Sequence, residues 1–180
     1  TINHLNDIDI TPIIKHYKVF SEVDDIAKKH NVDLIVMGSH GVNGLKEAFV
    51  GSNTEKVIRH TSIPVLVIKE SPILTSFDNV VFACDFSDKA VKPYTEAKEM
   101  MKIIGSTMHL VYVNTTTSGF KSSSEMEIKV AAFLNKAEGN LDKLQEVNYV
   151  SDYSIEEGIL NFSNRFGADL IGVATHGRKG

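Results

Sequence analysis

The stretch Val32–Gly44, VDLIVMGSHGVNG, returns at Ala168–Gly180 as ADLIGVATHGRKG with no gap between the two. Asp33, Leu34, Ile35, His40, Gly41 and Gly44 recur as Asp169, Leu170, Ile171, His176, Gly177 and Gly180. Each copy is an apolar run of strand length that opens into a glycine-bearing loop. Upstream the likeness continues more weakly, pairing Tyr17 with Tyr153, Val23 with Ile159 and Ile26 with Phe162. Self-similarity at this spacing marks a duplicated structural unit.

Element types alternate outward from the repeat. Residues 12–19 read as extended. Residues 21–30 have helical spacing at Val23, Ile26, Ala27 and His30, with Ser21 as N-cap. Leu34–Met37 is a short apolar strand. A helix is predicted over 53–60, its start marked by Ser52 and Glu55 as a capping box. Pro64 blocks its continuation, and Val65–Lys69 is a strand. Residues 70–78 read as a linker, after which the alternation restarts. Strands are predicted at 80–84, 108–113, 146–151 and 169–174, and helices from Ser87 to about Ile104 and over 125–138 and 155–166. Pro93 falls inside the helix begun at Ser87, where proline costs about 3 kcal/mol. Apolar strands alternating with helices predict βαβ units and a parallel sheet covered on both faces.

The chain has 180 residues, a net charge of -4 and 42% apolar residues, which excludes whole-chain disorder. No apolar run reaches the length of a membrane span. The charge balance gives no global reason to bind nucleic acid or an anionic membrane. A single cysteine, Cys84, makes neither an intrachain disulfide nor a multi-thiolate metal site. A cytoplasmic setting is expected. The chain starts at Thr1 without an initiator Met or a signal peptide, so it is expected to begin part-way through a longer one.

The first loop carries Gly38, Gly41 and, nine residues on, Gly51-Ser52. Glycines allow close backbone approach, and main-chain N–H groups in such turns converge on anions. The helix beginning near Asn53 adds unpaired N–H groups. The set suits a di- or triphosphate, with Lys46 and Lys56 as charge partners or simply as solvated lysines. Neither the Walker pattern nor G-x-G-x-x-G is present. His40 and His176 are read as loop-packing residues rather than metal ligands, and Cys84 as a buried, inert thiol. Asp85 either caps the helix after it or binds ligand.

Gly-x2-Gly-x9-Gly-Ser, with VDLIVMGSHG, GSNTEKVIRHTSIPVLVIK and VVFACDFS, resembles the ATP-binding signature and flanks of universal stress proteins. The resemblance implies two partial tandem repeats of an adenine nucleotide alpha hydrolase-like α/β domain. Each domain would have a five-stranded parallel sheet of order 3-2-1-4-5. Residues 1–70 would be the carboxyl-terminal half of a first domain, 71–78 a linker, and 79–180 a second domain lacking its last helix and strand. ATP or AMP, with or without Mg²⁺, would take its ribose and phosphates to Gly38, Gly41, Gly51, Ser52 and Asn53. Asp85 and Val113 would be the adenine-side residues of the second repeat, and Gly177 the counterpart of Gly41. Ala174 stands where the first repeat has Gly38; if that position needs φ > 0, alanine costs roughly 1–2 kcal/mol. The first loop is therefore expected to be competent and the second degenerate. The implied role is stress-response regulation through nucleotide occupancy. The alternatives are a family member that acts by dimerisation or partner binding without nucleotide, and a slow ATPase. The Val65–Lys69 edge strand is expected to pair across a homodimer or between the tandem repeats.

Overall fold

The computed structural model describes residues 8–14, 19–38, 52–68, 76–116 and 119–174. The chain divides into two compact units, with the described residues up to 68 in the first and those from 76 in the second.

The first unit holds α1 (Val19–Lys29), β1 (Ile35–Gly38), α2 (Ser52–His60) and β2 (Val65–Ile68). β1 and β2 pair in parallel, Ile35 opposite Val65 and Gly38 opposite Ile68. Buried Ala27, Ile35 and Val57 form the core, with Val23, Met37, Ile63 and Val65 packed around them. Both helices thus cover the same face of the strands. Asn31 ends α1 with a positive φ of 50°, and the Val32 N–H returns to the Ala27 carbonyl at 2.9 Å. α2 begins at Ser52, and Glu55 in its first turn pairs with Arg59 at 2.7 Å.

The second unit holds β3 (Asn79–Ala83), α3 (Val91–Ile104), β4 (Thr107–Thr115), α4 (Ser123–Glu138), β5 (Asn148–Asp152), α5 (Ile155–Phe166) and β6 (Leu170–Val173). The four strands are parallel and stand in the order β5-β4-β3-β6. One face carries Phe82, Tyr112, Leu110 and the α3 and α4 residues Tyr94, Met126, Val130, Phe133 and Leu134. The other carries Val81, Ala83 and Val111 against Ile159 of α5. The period-two alternation of β3 and β4 is what divides these side chains between two helical layers. Ser122 and Glu125 form a capping box at α4, and Gly139 and Gly167 close α4 and α5 with φ of 72° and 73°.

Among the described residues the sheets have two and four strands. The strand count follows what each unit contains: one helical crossover joins two strands in the first, and three join four in the second. The helix expected from Ser87 is different. A 3-10 turn occupies Asp88–Ala90, Ser87 makes no side-chain cap, and α3 starts at Val91. Pro93 therefore lies in the first turn, where its missing N–H has no intrahelical partner to lose.

One helix end recurs in both units. Gly167 ends α5 as Asn31 ends α1, and the Ala168 N–H returns to Ser163 at 3.0 Å as Val32 returns to Ala27.

Candidate functional site

In the first unit the candidate residues cluster at the carboxyl end of β1. Gly38 is its last residue, and the Thr54 hydroxyl of α2 donates to the Gly38 carbonyl at 3.1 Å. Thr54 is only 2% exposed, so this bond ties the strand end to the first turn of the helix. Asn53 is exposed in that turn. The start of a helix and the end of a parallel strand are thus held together, an arrangement that suits an anion. Gly41, Gly51, His40 and Lys46 lie outside the described residues, as do Gly177 and His176 of the second copy.

Gly38 does not have the left-handed backbone considered for it, and a Cβ built there meets nothing within 4 Å. Alanine fits that position without strain. Ala174 therefore carries no backbone strain that would set the second loop apart from the first.

In the second unit the connection from β3 to β4 runs to one side of β3, whereas β5 returns to β6 on the other side. The carboxyl ends of β3 and β6 flank the resulting switch point, where open parallel sheets bind ligands. Asp85 follows β3 at this place and is exposed; its Oδ1 accepts the Ser87 N–H at 3.0 Å. Between them Phe86 holds φ at 51°, a strained conformation for a bulky side chain. Its ring is buried, stacked on Tyr112 with centroids 5.5 Å apart and edge-on to Phe133 at 5.2 Å. The core thus fixes the turn that presents Asp85. The Ser87 Oγ is buried without a hydrogen-bond partner among the described residues. The sequence pattern offers Ser87 only as a helix cap and does not single out Phe86, because backbone strain and an unpaired hydroxyl are properties of the folded turn.

Val113 lies on the neighbouring strand β4, opposite Val150 of β5. Its side chain packs against α5, leaving no room for a Cβ at Gly158. Cys84 is half-buried, and burial pushes its thiol up to about 12, opposed by a hydrogen bond from the Phe86 main chain. The shift disfavours the reactive thiolate at neutral pH. Among the described residues no group of three His, Cys, Asp or Glu side chains could hold a metal. Nor is any described helix long and apolar enough to cross a membrane. The candidate residues are therefore split: Gly38, Ser52 and Asn53 belong to the first unit, Asp85 and Val113 to the second.

Residues 3–69 match the Universal stress protein family. Universal stress protein MJ0577 of Methanocaldococcus jannaschii is 52% identical over 48 residues, which are 27% of this chain and 30% of that protein. Universal stress protein YxiE of Bacillus subtilis is 44% identical over 48 residues, 27% of this chain and 32% of that one. The chain spans about a third of the length of the curated relatives it matches. Among solved structures, a universal stress protein from Archaeoglobus fulgidus superposes with a TM-score of 0.63 at 24% identity, over 89% of this chain and 55% of that one. A Pseudomonas aeruginosa structure described as a putative universal stress protein gives a TM-score of 0.66 at 16% identity, over 92% and 60%. These two likenesses concern the α/β fold, whose parallel strands and helices extend through both units. The likeness to the Universal stress protein family is to residues 3–69 of this chain.

Proposed function

We propose that this chain is a stress-response regulatory protein that binds an adenine nucleotide, ATP or AMP, at the carboxyl ends of its parallel strands. The observation that carries the reading is the Thr54 bond to Gly38, which holds the start of α2 beside the end of β1. The intervening segment has the Gly38, Gly41, Gly51-Ser52 spacing. Ribose and phosphates would meet Gly38, Gly41, Gly51, Ser52 and Asn53, and in the second repeat the adenine would meet Asp85 and the Val113 main chain. Gly177 would serve the second repeat as Gly41 serves the first. In this reading residues 1–70 and 79–180 are two partial universal stress protein domains. Occupancy rather than turnover is the signal in this reading, and the sequence pattern offers no evident catalytic base. Mass spectrometry of nucleotide released on denaturing the purified protein tests this. ATP or AMP near one equivalent is the expected result, and nucleotide-free protein that also fails to bind added ATP overturns it.

A second reading rests on β2, which pairs with β1 along one edge only among the described residues. An open strand edge invites pairing with another chain. Dimerisation through Val65–Lys69 without nucleotide is that reading, and light scattering of nucleotide-free protein tests it.

A further inference from the structure

Two strands of this chain are copies of each other, yet only one of them pairs with β3. β1 and β6 are both preceded by aspartate, Asp33 and Asp169; Ile35 and Met37 belong to the core of the first unit, whereas the equivalent Ile171 and Val173 of β6 are exposed. At the β3 edge the Asp169 side chain accepts the Asn79 N–H at 2.9 Å, and the Asp169 N–H returns to the Asn79 carbonyl at 2.9 Å. Asp33 offers β1 the same groups, so these bonds do not discriminate. The two strands differ where they would face the aromatic core. β6 has Gly172, directly opposite Phe82, and β1 has Val36 at the equivalent position.

We propose that Phe82 is the residue that selects β6 over β1 as the neighbour of β3, by admitting only glycine at the facing position. A Cβ at Gly172 would sit 2.8 Å from Phe82 Cδ2 and 3.5 Å from Cε2. The ring cannot swing aside: Phe82 is 4% exposed and held edge-on by Tyr94 at 6.0 Å. Valine would add two methyl groups to that collision. In the first unit Val36 is 60% exposed. Close-packed cores translate this kind of misfit into roughly a 10- to 100-fold loss of pairing. The choice bears on function because the strand beside β3 determines which glycine loop leaves the sheet next to Asp85. The Ala174 N–H, where the second loop begins, donates to the Ala83 carbonyl at 3.4 Å.

The inference concerns strand pairing and holds with or without nucleotide. Its test is amide hydrogen exchange on the full chain, read at residues 170–173 and 35–38. Gly172→Val is expected to speed exchange at 170–173 by roughly 10- to 100-fold, and Phe82→Ala in the same chain to restore protection there. Exchanging the two residues, Val36→Gly with Gly172→Val, is expected to move protection from 170–173 to positions 36 and 38, the alternates of Ile35, whose N–H is already bonded to Pro64. Unchanged exchange in Gly172→Val, no restoration in the double variant, or loss at 170–173 without gain at 36 and 38 each overturns the selection. If Gly172→Val does not fold, Gly172→Ala with and without Phe82→Ala gives the same comparison at smaller amplitude.

Discussion

Glu138, the last residue of α4, accepts a hydrogen bond from Lys98 Nζ of α3 at 2.7 Å. Its other oxygen takes the Tyr94 hydroxyl, and Lys143 lies 3.3 Å away. One carboxylate therefore joins two helices and the segment leading to β5. Burial by itself would raise its pKa. The Lys98 bond, then the Tyr94 bond and the Lys143 charge, overcome that and hold it at about 2. Because the folded pKa lies below the ordinary value of 4.5, the ionised carboxylate stabilises the fold above pH 4.5, and this is lost as pH falls toward 2. The contribution at neutral pH is on the order of 2–3 kcal/mol. Partial exposure of both lysines reduces it. Glu138→Gln should lower stability by about 2 kcal/mol at pH 7. Urea midpoints at pH 7, 4 and 2.5 should show the gap between variant and parent closing with acid. A pH-independent gap would mean that lost packing, not ionisation, is the cause.

Ser163 is 2% exposed on the inner side of α5, and its hydroxyl has no hydrogen-bond partner among the described residues. The repeat places Ala27, equally buried, at the equivalent position of α1. An unpaired buried hydroxyl costs about 1–3 kcal/mol. Ser163→Ala should therefore raise stability by about 1 kcal/mol in thermal or urea unfolding. A destabilised variant would show that the hydroxyl is satisfied by water or by residues outside those described.

Gly158 shows why helix propensity misleads inside a packed layer. Alanine in a helix interior is ordinarily better than glycine by about 1 kcal/mol. Here a Cβ would stand 2.5 Å from Val113 Cγ1 and 3.3 Å from Asp152 Cβ. Gly158→Ala should destabilise by about 1–3 kcal/mol, and Val113→Ala in the same chain should recover part of that loss. A simple gain in stability would mean that α5 can shift away from β4 at little cost.

Much of the architecture was legible where a periodic pattern and a boundary signal coincide. The helix predicted over 155–166 is α5, Ile155–Phe166, because Ser154 and Gly167 mark its ends and its apolar residues keep helical spacing. The strand Val65–Ile68 is similarly bounded by Pro64. Pro93 misled because the start of α3 depends on a 3-10 turn that Ser87 does not cap, and no residue pattern announces that turn. The candidate site was legible as residue types at the ends of strands. What fixes the Asp85 turn was not, since the buried ring of Phe86 and its left-handed backbone arise from tertiary packing with Tyr112 and Phe133.

Cys84 should be inert in the folded chain. Its thiol is pushed up to about 12 by burial, against an ordinary value of 9.0, so the thiolate fraction at pH 8 falls by roughly a thousandfold. Iodoacetamide at pH 8 should label it only after denaturation, as read by intact mass. Rapid labelling of the native protein would place the thiol in water.

Asp85 gives the sharpest division between ligand contact and turn architecture. Its Oδ1 accepts the Ser87 N–H, and the adjoining Phe86 is anchored in the core. Asparagine keeps an oxygen for that N–H and removes the charge, whereas alanine removes both. If Asp85 contacts bound nucleotide through its carboxylate, Asp85→Asn should weaken adenine nucleotide binding by about tenfold while leaving the unfolding midpoint unchanged, since one charge-assisted hydrogen bond is worth about 1.5 kcal/mol. If Asp85 only shapes the turn, asparagine should bind as well as aspartate, and alanine should lower stability and binding together. Titration calorimetry with ATP and AMP, alongside thermal unfolding of the same three proteins, separates the two. Equal affinity in all three would place binding on the first loop alone and remove Asp85 from the site.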